Sequence, residues 1–125
     1  MPKNPLGLVQ RDEVTIVRIG ANRVVDQPDV DDMCQSLLQL ADDPGRVRLL
    51  LDFANVKSVS VAVIPTLVLL RKRLLARDGD LAMCGLDCGV RELIAFANQQ
   101  QPFNVHNTER DALLSFGQGG KPWSD

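Results

Sequence analysis

The chain has 125 residues, 45% apolar and 24% charged, which is the size and balance of one globular domain able to bury a core without a disulfide or metal staple. Its 14 basic and 16 acidic residues leave a formal net charge of -2, and aromatic residues are 4%. The clustered basic excess and the stacking rings of a dedicated nucleic-acid binder are therefore missing. No run approaches the roughly 18 apolar residues of a membrane span, and the opening residues lack the layout of a signal peptide. A cytoplasmic protein with no membrane contact is expected, its cysteines Cys34, Cys84 and Cys88 reduced and packed as small hydrophobes.

Residues 1–7, with two prolines and no period, read as a flexible arm. Leu8 to Gln10 and Val14 to Ile19 read as strands, because they are short and dense in β-branched residues. Asp12-Glu13 is the turn between them. Val14, Ile16 and Arg18 share one face, and Thr15, Val17 and Ile19 the other. Arg23 to Val25 adds a short extended piece. Val30, Met33, Cys34, Leu37, Leu38 and Ala41 then fall on one helical stripe. Pro28 suits the first turn of that helix, and Asp29, Asp31 and Asp32 suit its positive end. Asp42-Asp43-Pro44-Gly45 stops it.

Arg46 to Phe53 reads as a central strand, apolar on both faces. A polar loop leads to a long helix over Val61 to Arg77, with Gly79 as its C-terminal cap. Arg71, Lys72, Arg73 and Arg77 suit a solvated face and the negative end of that helix. Asp80 to Gly85 is a strand. Asp87 caps a helix over Val90 to Gln99, whose inner face is Val90, Leu93, Ile94 and Ala97. Phe103 to His106 is a short strand. Thr108 caps a last helix with Ala112, Leu113 and Phe116 inside. Residues 117–125 read as a flexible tail. The alternation of strands and helices predicts an α/β fold, with about four helices on a mixed, mostly parallel sheet of about four or five strands.

Chemistry is scarce. No glycine-rich phosphate loop joins a strand to a helix, and no nucleophile elbow occurs. His106 is the one histidine, so no Ser-His or Cys-His pair is apparent. Cys84 and Cys88 lack a second ligand pair, so no metal and no cofactor is expected. Asp31-Asp32 and Asp42-Asp43 are neighbours that point about 100° apart on a helix, which fits helix-end charges better than an acid/base pair. An enzyme is the least expected class.

The ordered series from residue 8 to residue 116 resembles the STAS domain, the family of sulfate transporters and anti-sigma factor antagonists. A hydrophobic strand ends in Asp52 and a polar turn containing Asn55. A small-residue segment opens a long amphipathic helix. A strand ends in Cys84-Gly85-Leu86, and a helix carries Val90-Arg91-Glu92-Leu93. In anti-sigma factor antagonists this long helix opens with a motif like Asp-Ser-Ser/Thr-Gly-Leu-Gly, whose hydroxyl is phosphorylated by a partner anti-sigma factor kinase. Here that motif falls on Ser60-Val61-Ala62-Val63-Ile64-Pro65. The family's Asp becomes Ser60, and both hydroxyl positions become Val61 and Ala62, which carry no oxygen.

Two readings of Ser60 stand open: an N-cap bonding the Val63 N–H, or a displaced phosphorylation site. Ser58 lies two residues earlier in the loop. Pro65 cannot donate to the carbonyl of Val61 and pushes Ile64 away from helical geometry, so an irregular first turn or a start nearer Pro65 is expected. Val63, Leu67, Leu70 and Leu74 face the sheet in this reading. Val61, Pro65 and Leu69 fall on another face, to be covered by the same chain, by a partner or by a ligand.

The resemblance implies a regulatory domain that binds an anti-sigma factor, an anti-sigma factor kinase or other STAS proteins, with a homodimer as a further form. Ser58, Ser60, Val61, Ala62, Pro65 and Leu69 would line the partner face. A scaffold subunit of a STAS-based assembly and a small-molecule or lipid binder are the alternatives it leaves.

Overall fold

The fold comes from a computed structural model that describes residues 6–11, 13–20, 22–43, 45, 47–98 and 104–116. Strands β1 (Leu6–Arg11), β2 (Val14–Ile19), β4 (Arg48–Asp52), β6 (Asp80–Cys84) and β7 (Asn104–His106) form one sheet in the order β1-β2-β4-β6-β7. Strand β1 pairs antiparallel with β2, and every other pair is parallel. Helices α1 (Gln27–Ala41), α2 (Ile64–Leu75) and α3 (Cys88–Asn98) are the crossovers, and α4 (Glu109–Phe116) follows β7. Two short strands, β3 (Arg23–Val24) and β5 (Ser58–Val59), make a separate parallel ribbon. The expected mixed, mostly parallel sheet with four helices is the architecture found. The first strand starts at Leu6, two residues before the sequence placed it. Residues 1–5, the tail after Phe116, and Asp12, Pro44, Arg46, Gln99 and Phe103 lie outside the described residues.

The alternation of each strand divides the core in two. On one face Val17, Ile19, Leu49, Leu51, Leu81 and Met83 pack against Val30, Met33 and Leu37 of α1, Leu67, Leu70 and Leu74 of α2, and Val90 and Ile94 of α3. On the other, Val14, Ile16, Leu50, Ala82 and Cys84 meet Ala112 and Phe116 of α4. Each fully buried Leu here contributes about 2 kcal/mol by removal from water. Cys34 is half-buried and Cys88 is exposed. The expectation of three buried thiols thus holds for Cys84 alone, because Cys88 opens α3 at the loop and its side chain stays in solvent.

The end of α2 differs from its expected form. Asp78, not Gly79, takes the left-handed conformation at φ 62°. The Asp78 N–H donates to the Leu75 carbonyl at 3.1 Å and the Gly79 N–H to Leu74 at 2.8 Å, the paired bonds of a Schellman close. Gly79 is required for another reason: a Cβ there would lie 1.7 Å from the Val47 carbonyl oxygen. Of the basic run on α2, Lys72, Arg73 and Arg77 are exposed as expected, and Arg71 is half-buried with its Nε 3.2 Å from Asp80 Oδ1.

Candidate functional site

The segment from Asp52 to Ser60, ahead of α2, is held by both local and long-range hydrogen bonds. At the end of β4, Asp52 Oδ1 accepts from the Ala54 N–H at 2.9 Å. The Val56 N–H then donates to the Phe53 carbonyl at 2.9 Å, which closes a turn with Asn55 exposed at its tip. Gly85, at φ +70°, packs against this turn; a Cβ there would come within 3.1 Å of the Ala54 nitrogen. The Lys57 N–H donates to the Asn22 carbonyl at 2.7 Å and the Ser60 N–H to the Val24 carbonyl at 2.7 Å. The ribbon of β3 and β5 therefore fixes the chain just before α2.

Ser60 has an extended backbone (φ -73°, ψ 144°), and its hydroxyl accepts from the Ala62 N–H at 3.1 Å. It is a cap, but to the second residue rather than to Val63. The Val63 N–H bonds instead to the Ser60 carbonyl at 3.1 Å. This contraction makes Val61–Val63 a 3-10 turn, and α2 starts at Ile64 with Pro65 in its first turn. A proline so close to the start replaces an N–H that has no intrahelical partner anyway. The expected irregular start is present. Ile64 nevertheless keeps helical angles (φ -57°, ψ -48°), so the restriction before proline is overridden here by the 3-10 turn on its other side.

The consequence is a helix with two apolar faces. Val63, Leu67, Leu70 and Leu74 are buried, while Val61 is 61% exposed, Leu69 is 40% exposed and Pro65 is exposed. Ala62 is exposed, and Ser58 and Ser60 are half-buried. The sequence reading missed Val25. It is exposed and follows directly on Val24, whose carbonyl receives the Ser60 N–H. No periodicity in the sequence announces that neighbour, because the ribbon joins segments far apart in the chain.

A second cluster lies at the carboxyl ends of the parallel strands. Arg18 Nη2 is 2.9 Å from Glu109 Oε1, and its Nε is 3.5 Å from Asp52 Oδ2. Asp52 thus does more than shape a turn. The hydrogen bond to Glu109, then the charges of Glu109 and Asp52, raise the pKa of the Arg18 guanidinium. Beneath them burial, with the Asp52 and Glu109 carboxylates, pushes the Cys84 thiol up to about 12. A thiol so held stays protonated and is no nucleophile. Among the described residues no group of three His, Cys, Asp or Glu is placed to hold a metal ion, and no helix is long and apolar enough to cross a membrane.

The site can offer an apolar stripe and a capped helix start, with no hydroxyl on either of the first two residues of the 3-10 turn. Solved structures share this fold. An anti-sigma factor antagonist from Mycobacterium paratuberculosis is 17% identical, with a TM-score of 0.76 over 91% of this chain and 94% of that one. An anti-sigma-factor antagonist (STAS) domain protein from Planctomyces limnophilus is 19% identical, with a TM-score of 0.75 over 90% and 98%. The murine solute carrier 26 family member A9, an anion transporter, is 18% identical with a TM-score of 0.66, over 82% of this chain and 17% of that one. At these identities the likeness is one of fold. No curated protein matches the sequence. The STAS domain family model matches residues 6–112, nearly the whole described chain, and the protein belongs to the STAS domain family.

Proposed function

We propose that this domain is a non-catalytic, cytoplasmic regulator that docks the start of α2 onto a partner protein, an anti-sigma factor or an anti-sigma factor kinase. The observation that carries the reading is the exposure of Val61, Pro65 and Leu69 on one stripe of α2 and the turn before it. Covering what remains exposed of each contributes on the order of 1 kcal/mol before the costs of association are subtracted. Ser58, Ser60 and Ala62 border the stripe and shape its polar edge. Val61 and Ala62 offer no oxygen to a kinase, and the Ser60 hydroxyl is engaged with the Ala62 N–H. A phosphate at a helix start would bring about two negative charges to the middle of this surface. Without it the surface stays apolar at all times, and the domain is constitutively competent to bind.

Capture of the partner from the native cell by wild type beside Leu69→Asp and Val61→Asp tests the reading. Both variants should lose at least about 30-fold in affinity, the penalty of placing a charge in a hot spot, while thermal melts stay close to wild type. Unchanged affinity in both variants overturns it. Incubation with the partner kinase and ATP should leave the intact mass unchanged; stoichiometric phosphate on Ser60 would overturn the constitutive part.

A further inference from the structure

We infer that α4 is a lid: it opens from the sheet as one unit while the rest of the fold stays closed, and it is latched by Arg18, which is held between Glu109 and Asp52. The three longer helices share the opposite face of the sheet, where they pack on the large core. Among the described residues, α4 is the one helix that contributes to the smaller core. It does so through Ala112 and Phe116, which are buried, and Leu113, which is half-buried. Helix α4 has eight residues, below the roughly 12–15 at which an isolated helix becomes even marginal in water. It is therefore helical only while its contacts with the sheet hold it. Lifting it breaks none of the packing in the larger core.

The polar contacts set where the moving part begins. Strand β7 stays with the sheet, because Asn104, Val105 and His106 pair with Ala82, Met83 and Cys84. The next residue, Asn107, accepts through Oδ1 from Arg91 Nη2 of α3 at 2.9 Å. The chain is thus pinned as far as Asn107, and the hinge follows it. Beyond the hinge, side-chain bonds tie α4 to the sheet at both ends. Arg18 Nη2 donates to Glu109 Oε1 at 2.9 Å in the first turn, and Asn104 Nδ2 donates to Ser115 Oγ at 3.1 Å in the last. The Arg18 and Glu109 side chains are 45% and 28% exposed, and pairs so open to water part at little cost. Arg18 keeps a second partner when Glu109 leaves, since its Nε is 3.5 Å from Asp52 Oδ2. Asp52 is itself held through Oδ1 on the Ala54 N–H. The catch therefore stays in position to receive Glu109 again. Opening bares Val14, Ile16, Leu50, Ala82 and the Cys84 thiol, an apolar face on the side of the sheet away from α2.

Cys84 reports the opening. It is buried in the closed form and its proton is held to about 12, so an alkylating reagent reacts with it only when α4 is lifted. The full chain with Cys34→Ala and Cys88→Ser carries it as the single thiol. At about pH 8, N-ethylmaleimide should modify Cys84 at least about tenfold faster than the global unfolding constant from urea melts allows, with a rate flat to about 1 M urea. Phe116→Ala should speed the reaction at least about 30-fold, and Glu109→Gln about two- to fivefold. Ile19→Val, in the larger core, should raise the global unfolding constant about two- to tenfold and leave modification in low urea unchanged. Far-UV circular dichroism checks that each variant is folded. A rate that follows global unfolding at every urea concentration, a rate indifferent to Phe116→Ala or to Glu109→Gln, or a rate that rises with Ile19→Val in low urea overturns the lid.

Discussion

Asp78 and Gly79 show how adjacent residues answer to different constraints. The left-handed conformation falls on Asp78, a residue type that tolerates it better than most. Gly79 is held by space, with the Val47 carbonyl where a side chain would begin. Gly79→Ala should therefore cost at least about 3 kcal/mol, since backbone has to move, and chemical denaturation would show a clear loss of midpoint. A sequence in which Asp-Gly follows a helix suggests a stop, and the stop is there. Which of the two residues bends and which is merely small depends on the approach of Val47, from another part of the chain. Cys88 gives a similar lesson. Its residue type favours burial, while its position at the first turn of α3 leaves it in solvent.

At the scale of the element, periodicity was informative and long-range pairing was not. The spacing of Val63, Leu67, Leu70 and Leu74 places the inner face of α2 correctly, and the apolar run of Leu49, Leu50 and Leu51 marks a strand buried on both sides. Pro65 announced the disturbed start of α2, and the 3-10 turn is its form. The bond from Arg18 to Glu109 spans 91 residues and leaves no local signature beyond a charged residue at an inward-reading position of β2. Helix α4 is the element most dependent on its ends, being only eight residues long. Thr108 Oγ1 accepts from the Asp111 N–H at 3.1 Å and Glu109 is tied to Arg18. Thr108→Ala should cost about 1 kcal/mol, read as a lower midpoint in urea with the slope unchanged.

For the molecule as a whole, the sheet separates two cores of unequal kind. The larger, under α1, α2 and α3, is purely apolar; the smaller, under α4, contains Cys84 below the charges of Arg18, Asp52 and Glu109. The folded chain holds the Cys84 proton to about 12, against an ordinary 9.0. Between those values unfolding releases a proton, so stability is full below about pH 9 and falls as pH rises toward 12. The chain has no tyrosine, which keeps the alkaline range clear of phenol titration. Urea melts at rising pH should show this decline, and Cys84→Ala should flatten it.

The ribbon of β3 and β5 ties together two segments that the main sheet leaves apart. One of its strands runs into α1 and the other into the turn before α2. The roots of α1 and α2 are joined by this two-residue ladder as well as by the core they share, with the Ser60 N–H on the Val24 carbonyl as its outermost rung. The start of the stripe at Val61 is thereby one residue from a bond that anchors it beside the root of α1.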